Sequence, residues 1–416
     1  MTPIYGLLGG RLKHSLSPQI HKYLCGYDYS LFEMAEEDVA SFIKKADFNA
    51  INVTIPYKKT VMPYLTRIDD MAKKIGSVNT IKKEKDGTLS GYNTDYFGFS
   101  YLLKSNNMSV KNKKCLILGS GGSAVTVNAV LTDLGAKSIF VISRSGEDNY
   151  ENISKHHDAE VIVNTTPVGM YPKNLEAPIN LYDFKKCEAV VDIIYNPLKT
   201  KLLLDAERLN IKNSNGLSML VAQAKMAAEI FIDKKIEDSE IERVLSQMEK
   251  DAQNIILIGM PGCGKSTLAK ILSKKLNRQM IDTDNLIEEY AQKTIPEIFE
   301  EDGEDVFREF ETKAAYNAGQ KLTQVIATGG GIVKKQENYD CLRQNGFIVF
   351  LDRNIEELAT GGRPLSTGLD RLKEMYKERY PLYVSLADCT VKIEKTPQKT
   401  ATEILKNFLG DYDEKR

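Results

Sequence analysis

Residues 255–272 read IILIGMPGCGKSTLAKIL, and this stretch decides the fold of the C-terminal part of the 416-residue chain. Ile255 to Ile258 form an apolar strand pattern, Gly259-x-x-x-x-Gly264-Lys265-Ser266 turns the chain, and an amphipathic helix pattern follows. Glycines at such a turn let backbone N–H groups wrap phosphates at a helix N-terminus; the lysine reaches the β and γ phosphates and the serine hydroxyl holds Mg²⁺. Gly262, Cys263, Gly264, Lys265, Ser266 and Thr267 are therefore the expected ATP- or GTP-binding residues. A chance match on a surface loop would lack the flanking strand and helix.

Downstream residues must supply the phosphoryl acceptor site. Asp282-Thr283-Asp284 follows a short apolar stretch, and carboxylates beside such a turn can hold Mg²⁺ through water or orient an attacking hydroxyl, although an acidic pair also caps helices. Arg308 and Glu311 fall at i and i+3 on one helical face; they read either as a surface ion pair worth a few tenths of a kcal/mol or as an arginine that binds a substrate carboxylate. Gly329-Gly330-Gly331 ends another strand, where a missing side chain permits close approach to the backbone. Arg363, within Thr360 to Leu365, reads as a lid cation, and Arg379 adds another. No histidine lies in this half. Phosphoryl transfer needs positioning and charge neutralisation more than a histidine base.

Upstream, short apolar runs such as Ile4 to Leu8, Ala50 to Ile55, Cys115 to Leu118 and Ser138 to Ile142 alternate with helical patterns, which predicts parallel α/β sheets. A second glycine turn, Gly119-Ser120-Gly121-Gly122-Ser123-Ala124, has the G-x-G-x-x-G/A form of a dinucleotide site. The next strand ends at Ser143-Arg144-Ser145, where a cation between hydroxyls suits a 2′-phosphate and predicts NADP. Residues 232–253 are highly charged and read as a linker that includes a helix.

The N-terminal hundred residues carry a polar constellation. Ser15 and Ser17 flank a turn, Asn52 to Lys58 end a strand, and Asn79 and Asp95 sit at strand or loop ends. Lys58 and Asp95 brought together would make a proton-transfer pair; apart, each would be an exposed charge.

Composition limits the function classes. Hydrophobic residues are 42% and charged residues 27%, which excludes a mainly disordered chain, and 56 basic against 57 acidic residues leave no global field for nucleic acid or an anionic membrane. Six scattered cysteines without a C-x-x-C pair predict a reducing compartment, with the cytoplasm as the expected location. No apolar run reaches the roughly 20 residues of a membrane span. The expected partners are small molecules, with no nucleic acid and no membrane.

The order of motifs from Asn254 to about Leu409 resembles the shikimate kinases. That resemblance implies a P-loop domain of the nucleoside-monophosphate-kinase type over 254–416. On the matching positions Asp284, Arg308, Gly329 to Gly331 and Arg379 would hold shikimate, Asp282 would support Mg²⁺ beside Ser266, and Arg363 would stabilise charge on the γ-phosphoryl group. The segment around Arg363 is short for the family. Residues 4 to 232, taken with Asn164 to Met170, Asp192 to Pro197 and Asn215 to Ala224, resemble the shikimate dehydrogenases. This implies a substrate domain over 1–100, rejoined by about 216–232, and a Rossmann-like NADP domain over 101–215, with a charged linker at 233–253.

On the dehydrogenase resemblance Ser15, Ser17, Thr54, Asn79, Asp95 and Gln223 would bind the substrate, and Lys58 and Asp95 would form the catalytic pair. Tyr195 would border the substrate, while Gly216, Thr166 and the turns at 119–123 and 143–145 would serve the cofactor. Ser143-Arg144-Ser145 stands where the family usually has Asn-Arg-Thr, and the segment from Arg144 to Asn164 is trimmed. His14 and His21 read as packing or capping groups. The resulting expectation is a bifunctional enzyme that reduces 3-dehydroshikimate to shikimate and phosphorylates shikimate with ATP. Alternatives are a quinate/shikimate dehydrogenase fused to a kinase for another small hydroxy acid, or one half acting as a ligand sensor.

Overall fold

The computed structural model describes residues 3–13, 15–358 and 369–410; His14 and Arg363 fall outside them. The chain divides into two compact units, 1–196 with 202–248 and 197–201 with 249–416.

The first unit has two sheets. The N-terminal sheet contains β1 (Tyr5–Gly9), β2 (Tyr29–Glu33), β3 (Ala50–Val53), β4 (Arg67–Ile68), β5 (Thr80–Lys83) and β6 (Leu89–Tyr92), in the order β2-β1-β3-β5-β6-β4. The expectation of parallel strands throughout fails here: β5 runs antiparallel to both β3 and β6. Asp86-Gly87 closes a tight hairpin between β5 and β6, with the Gly87 N–H donated to the Glu84 carbonyl at 2.9 Å, and so short a connection can join only antiparallel strands.

The second sheet contains β7 (Lys114–Leu118), β8 (Ser138–Ile142), β9 (Val161–Asn164), β10 (Ala189–Asp192) and β11 (Lys212–Ser214), ordered β11-β10-β9-β7-β8 and parallel throughout. Its central strands β7, β9 and β10 read as apolar runs because both faces are covered. Cys115 and Ile117 belong to one buried cluster, Leu116 and Leu118 to another. Each large apolar side chain so buried is worth about 1.5–3 kcal/mol.

Helix Leu217–Ile232 returns the chain to the first sheet, since Ala227 and Phe231 share a buried cluster with Tyr5 and Ala50. It starts at Gly216, where an added Cβ would lie 1.9 Å from the Ile193 carbonyl oxygen. Gly216→Ala is therefore expected to destabilise this unit by about 1–3 kcal/mol, as overpacking against backbone does. Urea unfolding followed by loss of dehydrogenase turnover checks it.

The charged stretch read as a linker is mostly the helix Ser239–Ala252, whose Ile241, Val244 and Met248 are buried. Just before it, Lys225 of helix Leu217–Ile232 reaches Glu229 at 2.9 Å and Asp238 at 2.8 Å.

The second unit holds β12 (Asn254–Ile258), β13 (Gln279–Asp282), β14 (Gln324–Ala327), β15 (Gly346–Asp352) and β16 (Cys389–Lys392), all parallel, in the order β13-β14-β12-β15-β16. The first strand lies at the centre, between two strands reached by crossovers in opposite senses. Its glycine turn therefore opens at a switch point of the sheet, where α/β folds bind ligands. The turn after β7 occupies the same kind of place, between β8 and β9. Among the described residues no helix is long and apolar enough to cross a membrane.

Candidate active sites

The first site lies at the ends of β1 and β3. Asp95 opens helix Asp95–Ser105, and its carboxylate sits at that helix N-terminus, where partial positive charge favours it. The Lys58 Nζ donates to Asp95 Oδ2 at 2.5 Å, and Asn79 Nδ2 donates to Asp95 Oδ1 at 2.9 Å. Asn79 also accepts the Thr94 backbone N–H at 2.7 Å, so one buried amide fixes both the carboxylate and the start of its helix. The Thr94 hydroxyl passes the network on to Gln223 Oε1 at 3.3 Å.

Ser15, Ser17, Thr54, Lys58, Asn79, Asp95, Ser123, Tyr195, Gly216 and Gln223, all singled out by sequence, line a single cleft of about 740 Å³. Arg11, Lys13, Glu33 and Asn52 line it as well. Sequence gave no signal for the first three, which stand in turns or on an exposed strand without a motif. Burial pushes the Tyr195 hydroxyl above its ordinary pKa. His21 is a packing group: it stacks on Tyr29 with centroids 4.2 Å apart, and burial lowers its pKa to about 3.

The remaining dinucleotide candidates lie outside this cleft, at the ends of β7, β8 and β9 of the second sheet. Ser120, Gly121 and Gly122 are exposed at the N-terminus of helix Gly122–Asp133. Ser143, Arg144 and Ser145 follow β8, with Arg144 and Ser145 exposed. Gly119 and Thr166 are adjacent, since a Cβ on Gly119 would lie 2.9 Å from Thr166 Cγ2. The Thr166 hydroxyl donates to Asn164 Oδ1 at 2.7 Å.

The second site is built around β12, β13 and β14. Gly262, Gly264, Lys265, Ser266, Thr267, Asp284, Arg308, Gly329, Gly330, Gly331 and Arg379 line one cleft of about 430 Å³. Lys265 is buried, its Nζ donating to the carbonyls of Gly259 and Met260 at 2.9 Å each. Cys263 does not line the cleft: it is 1% exposed and donates its N–H to Met260 at 3.3 Å. Asp282 does cap the next helix, Oδ1 accepting the Asp284 N–H at 3.1 Å, while Oδ2 accepts the Ser266 hydroxyl at 2.6 Å.

Arg308 and Glu311 are no surface pair. They are 7% and 1% exposed and meet at 2.8 Å, with Glu304 at 2.8 Å on the other guanidinium nitrogen. Burial works against the Arg308 charge, but Glu311 and Glu304 outweigh it and hold the guanidinium above its ordinary pKa. Burial pushes the Glu311 carboxyl up even with Arg308 opposing. Glu311 Oε1 and Arg379 Nε are buried without a hydrogen-bond partner, and both residues line the cleft.

The glycine loop has a reason that sequence did not supply. A Cβ at Gly329 would meet Asp284 Oδ1 at 2.7 Å, one at Gly330 would meet Pro261 Cδ at 2.7 Å, and one at Gly331 would meet Arg308 Nη1 at 2.4 Å. The bare backbone makes room for the cleft's own residues, Asp284, Pro261 and Arg308. Thr283, buried, pins the loop by accepting the Gly329 N–H at 3.0 Å, and Arg379 donates to the Gly330 carbonyl at 3.1 Å. Phe299 and Phe307, 4.6 Å apart, add an apolar wall that the sequence analysis did not single out.

The shikimate kinase family model matches residues 261–409, and that of the shikimate dehydrogenase substrate binding domain matches residues 7–81. Shikimate dehydrogenase (NADP(+)) of Clostridium beijerinckii is 39% identical over 267 residues, covering 59% of this chain and 98% of that protein. The protein of the same name from Clostridium perfringens strain SM101 is 36% identical with the same coverage. A solved chorismate mutase/shikimate 5-dehydrogenase fusion protein from Clostridium acetobutylicum is similar with a TM-score of 0.57 at 40% identity, covering 60% of this chain and 98% of its own. Shikimate 5-dehydrogenase from Thermus thermophilus, solved with NADP(H) and shikimate, gives 0.54 at 27% identity, covering 59% and 99%. Over its N-terminal part, then, the chain belongs to the shikimate dehydrogenase family, and a shikimate kinase domain follows in the same polypeptide.

Proposed function

We propose that the first unit reduces 3-dehydroshikimate to shikimate with NADPH and that the second phosphorylates the shikimate 3-hydroxyl with ATP. What carries the reading is that each unit gathers donors for one small hydroxylated carboxylate in a cleft beside a nucleotide turn: Ser15, Ser17, Thr54 and Gln223 in the first, Arg308 and Arg379 in the second. The same reading assigns 1–100 with 216–232 to the substrate domain, 101–215 to the cofactor domain and 254–416 to the kinase. Six free cysteines accord with a cytoplasmic, reducing location.

The turns at 119–123 and 143–145, with Thr166 and Gly216, would hold NADPH, which supplies a hydride to the carbonyl carbon. Lys58 gives its proton to the ring oxygen as that carbon is reduced, and Asp95, oriented by Asn79, holds Lys58 in place. Ser15, Ser17, Thr54 and Gln223 fix the ring so that its ketone faces Lys58. The oxidation of shikimate runs the same proton step backward.

In the second unit Arg308 and Arg379 bind the shikimate carboxylate, and Asp284 orients the attacking hydroxyl and takes its proton. Lys265 neutralises phosphate charge, and Arg363, outside the described residues, is assigned the same task at the γ-phosphoryl group. Among the described residues no group of three or more His, Cys, Asp or Glu could hold a metal ion by itself. The Ser266 hydroxyl against the Asp282 carboxylate is nevertheless a hard-oxygen donor set that fits Mg²⁺, an ion commonly held by one or two protein oxygens together with substrate phosphates.

Initial rates on the whole chain test this: shikimate-dependent reduction of NADP⁺ and shikimate-dependent release of ADP. Loss of either ends the bifunctional reading, and a higher kcat/KM for quinate than for shikimate replaces the substrate of the first unit. Gly331→Ala, which crowds Arg308, is expected to raise the kinase KM for shikimate about tenfold or more, the size of a lost charge-assisted hydrogen bond, with the KM for ATP little changed. Steady-state kinetics with each substrate varied in turn separates the two.

A further inference from the structure

We propose that His156 is a positioning residue for cofactor choice: by holding the Asp148 carboxylate it keeps a negative charge away from the ribose 2′ position and so sets the preference for NADP over NAD. The inference rests on the dinucleotide reading above and goes beyond it.

The chain leaves β8 at Ile142 and doubles back at once. The Ser143 N–H donates to the Asp148 carbonyl at 3.2 Å, and a Cβ on Gly146 would lie 2.7 Å from Ser143 Oγ and 3.0 Å from the Asp148 oxygen. Asp148 is therefore returned to the end of the second strand of the sheet. An acidic residue at that place in a dinucleotide fold grips the ribose 2′-hydroxyl of NAD, whereas a cation there accommodates the 2′-phosphate of NADP. The chain has both kinds of group: Arg144, exposed in the turn, and Asp148 beside Ser143.

The carboxylate is held elsewhere. Asp148 Oδ1 lies 2.8 Å from His156 Nε2, and the imidazole is 4% exposed and packed on Phe140 of β8 with centroids 4.4 Å apart. His156 Nδ1 is buried without a partner, so the ring's one polar tether is the bond from Nε2 to Asp148. The loop is braced independently, because the Asn149 N–H donates to Asn152 Oδ1 at 2.9 Å and Asn152 Nδ2 donates to the Glu147 carbonyl at 2.8 Å. Removing the imidazole therefore frees the Asp148 side chain while the backbone turn keeps its own bonds. A freed carboxylate repels a 2′-phosphate and accepts a hydrogen bond from a 2′-hydroxyl, so one group reverses the preference.

The test is initial-rate kinetics of the whole chain with shikimate and either NADP⁺ or NAD⁺. His156→Ala is expected to raise the KM for NADP⁺ about tenfold, the scale of a like charge placed beside a phosphate, and to lower that for NAD⁺. The kcat and the KM for shikimate should stay within about twofold, because neither depends on the 2′ group. Adding Asp148→Asn should restore the NADP⁺ KM, and His156→Gln, which keeps a donor, should retain the wild-type preference.

A double variant no better than His156→Ala, or an unchanged NADP⁺/NAD⁺ ratio in His156→Ala, overturns the proposal. Asp148→Asn alone disturbs no packing and should leave the NADP⁺ KM as it is; a clear fall would mean that the charge already faces the phosphate, which also overturns it. The wild type's own NADP⁺ reduction tests the dehydrogenase reading separately.

Discussion

Lys58→Ala is expected to cut dehydrogenase turnover by about 10²- to 10⁴-fold, the usual contribution of a positioned general acid or base. The geometry makes the loss specific. Lys58 and Asp95 are paired at 2.5 Å with side chains 21% and 13% exposed, and Asn79 holds the other carboxylate oxygen. Truncating the lysine removes the proton donor and leaves Asp95 in place on Asn79 and its helix N-terminus, so the cleft keeps its shape. The KM for NADP⁺ should move little, because the cofactor turns lie on the second sheet. Kinase turnover of the same sample should be unchanged, which controls for protein quality. Initial rates of both reactions on one preparation check this, and dehydrogenase turnover within tenfold of wild type would remove Lys58 from the proposed role.

Lys265→Ala should lower kinase turnover by about 10²- to 10³-fold or more, the cost of removing one preorganised donor from developing phosphoryl charge. Lys265 is buried and held by two carbonyls of its own turn at 2.9 Å, so its ammonium is already placed within the glycine loop proposed to wrap phosphate. Gly259 and Met260 are buried, so losing the ammonium leaves their carbonyls short of a donor and should also cost the second unit about 1–3 kcal/mol of stability. The loss belongs in kcat and in the KM for ATP, with the KM for shikimate least affected if Arg308 and Arg379 hold that ligand as proposed. Substrate-varied ADP release reads the split, while dehydrogenase turnover in the same sample should stay at its wild-type value.

How far the sequence carries can be judged residue by residue. The two glycine turns were legible because their spacing, between an apolar run and a helix pattern, is itself the device that binds phosphate. The central strands of the two parallel sheets, β7, β9, β10, β12, β14 and β15, were legible for a related reason: a strand buried on both faces shows as an apolar run, which the edge strands β11 and β16 do not. Antiparallel β5 was not, since its Thr80-Ile-Lys-Lys reads as neither a run nor an alternation. The helix inside the charged stretch was half legible, because apolar Ile236, Ile241, Val244, Leu245 and Met248 fall at only partly helical spacing among many charges and do not say what covers them.

The candidate sites divide along the same line. By itself the sequence determined the residue types: a lysine and an aspartate 37 positions apart, an arginine and a glutamate three apart, and glycines at three strand ends. Only the tertiary structure decided which of these are partners. It closed Lys58 onto Asp95, buried Arg308 with Glu311, and showed that the 329–331 glycines clear space for Asp284, Pro261 and Arg308. It also turned Asp148 toward His156. The physical reason is that phosphate-binding turns and apolar runs act over a few neighbouring residues, whereas burial and pairing depend on which distant segments share a cleft. A linear pattern of residue types does not contain that information.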